Sequence, residues 1–228
     1  MTQEKDIEMF EHLEDATPHV TLHREQYHYP PKSFGDRVAK VIVHLSALSA
    51  TILFKRRYNH RAIVLETIAA VPGMVGGMLQ HLKSLKLIRD DNGWIRTLLD
   101  EAENERMHLL IYSEIAKPTW FERLLIMIVQ VGFFIVYFLL YSISPKTGHR
   151  VVGYFEEEAV HSYECFLALV KEGMYENVEA TPLAKSYWNL AENARLTDVI
   201  EATIKDEMLH RDVNHRFAND KVGTNLWW

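Results

Sequence analysis

Only one cysteine, Cys165, occurs in 228 residues. That excludes an internal disulfide and any metal site built on several thiolates, so a bound metal would have to be held by carboxylate, imidazole or water. Such a donor set favours iron or manganese over structural zinc. The chain also has no long basic run, and its formal net charge is −6. Nucleic acid is therefore a poor candidate partner. Glycine and proline are sparse, at 10 and 7 residues, and no convincing strand alternation occurs, which argues against an all-β architecture. The first twenty residues, MTQEKDIEMFEHLEDATPHV, contain neither an apolar signal core nor an Arg- and Ser-rich presequence. Read as it stands, the chain is expected to stay where it is made.

The sequence does have hydrophobic material, at 48% of residues, enough for a sizeable core. Residues 1–35 are polar, include the YPPKS break, and read as an extended arm; residues 36–228 read as one helical domain. Helical periodicity predicts six long segments, about 36–57, 60–88, 92–116, 119–143, 146–173 and 182–217. Pro72 and Gly73 should kink the second. Together these segments predict an all-α bundle. Leu124 to Ile143 is a run of 20 residues with one Gln and no charge, long enough to cross a membrane. The first segment is a weaker apolar stretch, followed by Lys55, Arg56, Arg57, His60 and Arg61.

Glu-x-x-His occurs four times, at Glu25/His28, Glu105/His108, Glu158/His161 and Glu207/His210, where chance predicts roughly one. One such pair means little, because charged residues on an amphipathic helix usually belong to its solvated side. The arrangement carries more weight. Dinuclear sites in bundle cores take a lone Glu from each of two helices and a Glu-x-x-His from each of two others. Glu66 sits within the apolar AIVLETIAAV, where an unpaired carboxylate would be costly. Glu105 and His108 lie on the stripe Leu98, Glu101, Glu105, His108, Tyr112; Glu207 and His210 lie on the stripe Leu196, Ile200, Thr203, Glu207, His210, Asn214.

Helical phase resolves the three glutamates of YFEEEAVHSY. Val152, Glu156, Ala159, Tyr163, Phe166 and Val170 share one face. Glu158 lies about 200° and His161 about 140° around the helix from Glu156, so both should point elsewhere. Four glutamates converging in an apolar core would repel one another and lose hydration. Two cations would relieve both costs, and a carboxylate-bridged pair of irons suits the donors best. Leu124–Ile143 falls between the second and third of these helices, so a single crossing there would separate the halves of one site. It is therefore expected to lie in the membrane interface, or to form an apolar plateau with the first helix.

The words LETIAAVPGMVGGML, EAENERMHL, GYFEEEAVHSY and KDEMLHRDVNH resemble the four ligand motifs of the alternative oxidases, the cyanide-insensitive ubiquinol oxidases, and the similarity runs from about Pro31 to about His215. The resemblance implies a ferritin-like four-helix di-iron bundle with two further long helices, bound to one membrane leaflet and commonly dimeric. It implies oxidation of ubiquinol with reduction of O2 to water, without proton pumping. It also implies Glu66, Glu105, Glu156 and Glu207 as iron ligands, with His108 and His210 beside or on the irons.

Tyr163 matches the family's essential tyrosine, able to supply an electron and a proton to O2. Asn104, Asp206, His149, Tyr187 and Trp188 resemble the hydrogen-bonding residues around the ligands. A quinol pocket is expected near Arg61, Ala62, Leu65, Phe155, Glu158, Ala159 and Ser162. The chain departs from the family where many members carry an Arg and an Asp on the first helix, for Ala47 and Thr51 stand there. It also lacks the N-terminal regulatory cysteine of plant members. A related di-iron quinone hydroxylase, a plastid-type quinol oxidase or a ferritin-like iron store would share the ligand logic. A bacterial protein on the cytoplasmic face of the inner membrane is the expected setting, with a processed mitochondrial protein facing the matrix as the alternative.

Overall fold

Three helix starts in this chain are set by short polar side chains, two of them followed by proline. Thr119 and Glu122 cap each other reciprocally, the Thr119 N–H donating to Glu122 Oε2 at 2.8 Å. Ser144 and Thr181 cap the helices that begin at Pro145 and Pro182, where the missing proline N–H costs nothing. The computed structural model describes residues 28–54 and 58–220. Among them are seven helices: α1 Phe34–Phe54, α2 Tyr58–Leu87, α3 Trp94–Ala116, α4 Trp120–Ile143, α5 Pro145–Lys171, α6 Pro182–Tyr187 and α7 Leu196–Asn219.

The most intimate pairs are α2 with α3 and α5 with α7. Glycine makes both approaches possible. A Cβ on Gly73 would lie 2.4 Å from the Leu98 carbonyl oxygen on α3, and one on Gly153 would lie 2.5 Å from the His215 ring on α7. Helix α4 lies across α2 and α5, and α1 runs along α5. The largest core cluster centres on Leu98, Ile111, Tyr163, Phe166, Leu196, Val199 and Ile200.

One expectation needs correction. The sixth segment is not one helix: α6 ends at Tyr187, and α7 begins at Leu196. Asn189 at φ 50° turns the chain there, and Ala180 and Leu196 exchange backbone hydrogen bonds with Ala194 and Val178 across the break. Pro72 and Gly73 lie inside α2, which continues through both. The expected basic residues Lys55, Arg56 and Arg57 lie outside the described residues, as does the Thr51 side chain.

The segment before α1 is pinned by Arg150, which is fully buried. Its Nε donates to Asp36 Oδ1 at 3.0 Å, Nη1 lies 2.8 Å from His215 Nδ1, Nη2 donates to Asn219 Oδ1 at 2.7 Å, and its guanidinium lies 3.6 Å from the Tyr29 ring centroid. Glu157 accepts from the Tyr29 N–H at 2.7 Å and meets His215 Nε2 at 2.9 Å. Both α1 and the residues before it are thereby fastened to α5 and α7.

By length and composition, His60–Leu87 and Trp120–Ile143 could each cross a membrane. The first carries the buried Glu66 and packs in the bundle, whereas α4 presents a broad apolar face outward. There Leu125, Ile128, Val131, Ile135, Val136 and Leu139 are each at least half exposed.

Candidate metal centre

Helices α2, α3, α5 and α7 each place acidic residues on the bundle axis, and the structure brings all six predicted ligands together. They form two overlapping groups: Glu66, Glu105, His108 and Glu207, and Glu105, Glu156, Glu207 and His210, each with one donor atom per residue lying within 4.8 Å of the others. Glu105 and Glu207 belong to both. Glu66 with His108 marks one end, and Glu156 with His210 marks the other. That is the topology of two cation positions bridged by two carboxylates.

The electrostatics point the same way. All six side chains are at most 2% exposed. Burial, then the charges of Glu207 and Glu105, push the Glu66 and Glu156 carboxyls well above the usual carboxylate range. Burial alone would lower His108, but hydrogen bonds to Asp206 and to Glu105, Glu207 and Glu66 outweigh it and hold the imidazole well above its ordinary value. Both carboxylate oxygens of Glu105, Glu207 Oε2 and both ring nitrogens of His210 are enclosed without a hydrogen-bond partner. His210 Nδ1 comes within 2.6 Å of Glu105 Oε1 without the angles of a hydrogen bond. Orphaned anionic and imidazole donors aimed at shared points fit hard or borderline cations.

Around His108 the predicted supporting residues assemble. Its Nε2 lies 3.0 Å from Asp206 Oδ2, which also accepts from Trp188 Nε1 at 2.9 Å and Asn104 Nδ2 at 3.1 Å; Asn104 Nδ2 further donates to the Tyr187 hydroxyl at 2.6 Å. The break between α6 and α7 carries Tyr187 and Trp188 into this position. His149 is not part of that group. It lies on the other side, bonded to Tyr141 and Asn214.

The Tyr163 hydroxyl donates to Glu66 Oε1, and its ring stacks on Tyr112 with centroids 5.4 Å apart. Burial and the Glu66 charge raise this phenol well above its ordinary value, keeping it protonated. Tyr112, bonded to Thr203 at 3.0 Å, had no predicted role, although it lay on the inward stripe of α3.

A cavity opens beside Glu156, lined by Ser46 and Ala47 of α1, by Arg61, Leu65, Ile68 and Pro72 of α2, by Phe133 of α4, and by Val152, Phe155, Glu158 and Ala159 of α5. Five of the seven predicted pocket residues, Arg61, Leu65, Phe155, Glu158 and Ala159, are on its wall. Ala62 and Ser162 are not: Ala62 packs into the main core and both are buried elsewhere. Ala62 is next in the chain to the wall residue Arg61, and Ser162 is next to the inward Tyr163. Glu158 faces the cavity and His161 is exposed, so neither joins the metal cluster. The Arg61 Nε is buried there without a partner.

Comparison with known proteins agrees with this geometry. The family model described as alternative oxidase matches residues 17–219. Over 193 residues the chain is 54% identical to ubiquinol oxidase 2, mitochondrial, of Glycine max, covering 85% of this chain and 58% of the relative. It is 54% identical over 193 residues to the protein of the same name from Arabidopsis thaliana, covering 85% and 54%. The ubiquinol oxidase, mitochondrial, of Batrachochytrium dendrobatidis is 53% identical over 192 residues, covering 84% and 61%. The chain thus spans a little more than half the length of these curated relatives. All three are named mitochondrial, so the comparisons do not support the expected preference for a bacterial setting. With most of its length matched by the family model and its inward carboxylates in two bridged groups, the chain belongs to the alternative oxidase family.

Proposed function

We propose that this chain is a ubiquinol:oxygen oxidoreductase, converting two ubiquinols and one O2 into two ubiquinones and two waters without moving protons across the membrane. The observation that carries this reading is the sharing of Glu105 and Glu207 between two buried ligand groups, in a chain whose relatives are named ubiquinol oxidase. A pair of irons bound there would supply the electron transfer to O2, and Glu66, Glu105, His108, Glu156, Glu207 and His210 are the residues that would hold it.

Chain residues then divide the remaining work. The Arg61 side chain in the cavity wall, its Nε unpartnered, suits a quinol oxygen, Glu158 on the same wall suits the quinol proton, and the apolar walls suit the ring. The Tyr163 O–H, held on Glu66, is placed to give a proton and an electron close to the metals. Asp206, held by Trp188 and Asn104, fixes the His108 ring.

The exposed apolar face of α4, continued by Val41, Leu45 and Leu48 of α1, suits one leaflet of the inner membrane, from which a lipid quinol reaches the cavity without entering water. Helix α4 cannot cross alone, because α3 and α5 on either side of it feed one cluster. A second stripe, Met74, Met78, Leu82 and Leu85 on α2, suits the face of a homodimer. An iron store would need neither the cavity nor the α4 face.

The test is oxygen uptake by purified, iron-quantified protein with a short-chain ubiquinol, with cyanide added midway. Cyanide-resistant uptake at two quinols per O2, with two irons per chain, is expected. No uptake by protein carrying two irons would overturn the oxidase reading and favour a hydroxylase or storage role.

A further inference from the structure

Two tyrosines lie side by side at the metal centre, and only one of them has a part in the proposed reaction. Tyr163 of α5 donates its hydroxyl to Glu66 Oε1. Tyr112 of α3, fully buried one turn after His108, is stacked on the Tyr163 ring with centroids 5.4 Å apart and planes 27° from parallel. A phenylalanine would cover Tyr163 as well. A second hydroxyl in a dry core, costly unless it is bonded, therefore needs a reason of its own.

That hydroxyl is a tether, and its direction is forced. It lies 3.0 Å from Thr203 Oγ1 of α7, and Thr203 Oγ1 donates its single proton to the Val199 carbonyl at 3.0 Å, one turn back on its own helix. Thr203 can therefore only accept from Tyr112. Burial pushes the Tyr112 phenol well above its ordinary value, so the donor stays in place. Thr203 is itself buried and sits one turn before Glu207, so the tether ends on a fixed point of the metal-bearing helix.

All four metal-bearing helices meet in this contact. Tyr163 comes from α5, its acceptor Glu66 from α2, the ring that covers it from α3 and the anchor of that ring from α7. A single hydrogen bond leaves a phenol free to swing about it. A ring pressed against the phenol's face, and itself unable to slide, removes that freedom. We infer that Tyr112 is a positioning residue for Tyr163: tethered through Thr203, its ring fixes the plane of the Tyr163 ring and so the line along which the Tyr163 O–H points at Glu66. Giving up a proton and an electron beside the metals depends on that line, and a misplacement of about 1 Å can cost on the order of 100-fold in rate.

The inference rests on the reading of Tyr163 as the donor, and the test separates the two. Protein carrying two ferrous irons and no quinol would be mixed with O2 and rapidly frozen, and the tyrosine radical recorded by electron paramagnetic resonance, whose splitting reports the angle of the ring about its Cβ–Cγ bond. Wild type is expected to give one radical, which Y163F removes. In Y112L the radical should persist with a shifted or broadened splitting, and kcat should fall about 10–100-fold while quinol KM and iron content hold. Y112F keeps the ring and should recover most of the kcat and the wild-type splitting. Wild-type splitting and kcat in Y112L would overturn the inference, as would a Y112F no better than Y112L, or a loss that KM and iron content share. Should Y112L not fold, as judged by its far-UV spectrum, T203V decides, because it leaves the Tyr112 hydroxyl without its acceptor: a changed splitting with lowered kcat supports the inference, and unchanged values overturn it. No radical in wild type, or one that survives in Y163F, would overturn the reading of Tyr163 itself.

Discussion

Replacing Asp36 by Ala leaves the Arg150 guanidinium, 0% exposed, without its only anionic partner among the described contacts, with His215, Asn219 and the Tyr29 ring as neutral neighbours. Orphaning a buried charge costs about 3–5 kcal/mol. The same carboxylate accepts from the Lys32 and Ser33 N–H groups at 3.0 and 2.8 Å, capping the start of α1, and losing such a cap adds about 1 kcal/mol. For a chain of this size that total corresponds to a fall of roughly 10–20 °C in Tm. D36N keeps an acceptor for the backbone and should lose about 1 kcal/mol less.

Arg150→Met removes the other charge, so the D36A/R150M double variant should be less damaged than the two single effects combined, by about 2–3 kcal/mol. Burial works to raise the Asp36 carboxyl, but the Ser33 and Lys32 backbone groups, the Ser33 hydroxyl and Arg150 together hold it below its ordinary value. A lowered folded pKa means that this stabilisation is present above the ordinary aspartate value and is lost as pH falls through the lowered one, below about pH 4. D36A should therefore be insensitive to that last step. Thermal melts of the detergent-solubilised variants check all three statements. A D36A melt within about 3 °C of wild type, or additive effects in the double variant, would refute the account. Because α1 carries Ser46 and Ala47 on the cavity wall, D36A should also raise the quinol KM while iron content holds.

E207A removes a donor common to both ligand groups and should leave less than one iron per chain, whereas E66A should leave about one; equal losses by metal analysis would refute the shared-carboxylate geometry. Y163F should bind two irons and lose most oxidase activity, and normal turnover would sink its proposed role. G73A places a methyl 2.4 Å from the Leu98 carbonyl, which forces α2 from α3 at a cost of about 1–3 kcal/mol; an unchanged denaturation midpoint would contradict that close approach. Ile128→Glu with Ile135→Glu, on the exposed α4 face, should abolish co-flotation with anionic vesicles while leaving iron content intact.

How far each feature could be read from the chain depended on the range of the interactions behind it. Period and breakers sufficed for five long helices and for Glu66, Glu105, Glu156 and Glu207 on inward faces, because helical phase is local and an acid in an apolar stripe is visible at once. The same phase argument kept Glu158 and His161 out of the cluster. It failed at residues 188–195, where a helical pattern gives way as Asn189 turns the chain, with Trp188 bonded to Asp206 and Tyr187 to Asn104. Glu101 and Asn214 were visible on their stripes, but nothing local showed that they bond to each other between α3 and α7. The place of His149 apart from the Asp206 group, the membership of Ala62 and Ser162 in the pocket, and the Arg150 anchor all turned on contacts across more than sixty positions of chain or on one residue's rotation about a helix. Local chemistry determined by itself which residues could serve as metal ligands; only the packing of α2, α3, α5 and α7 decided that Glu105 and Glu207 belong to both buried groups, because such sharing is a relation among helices that no single helix contains.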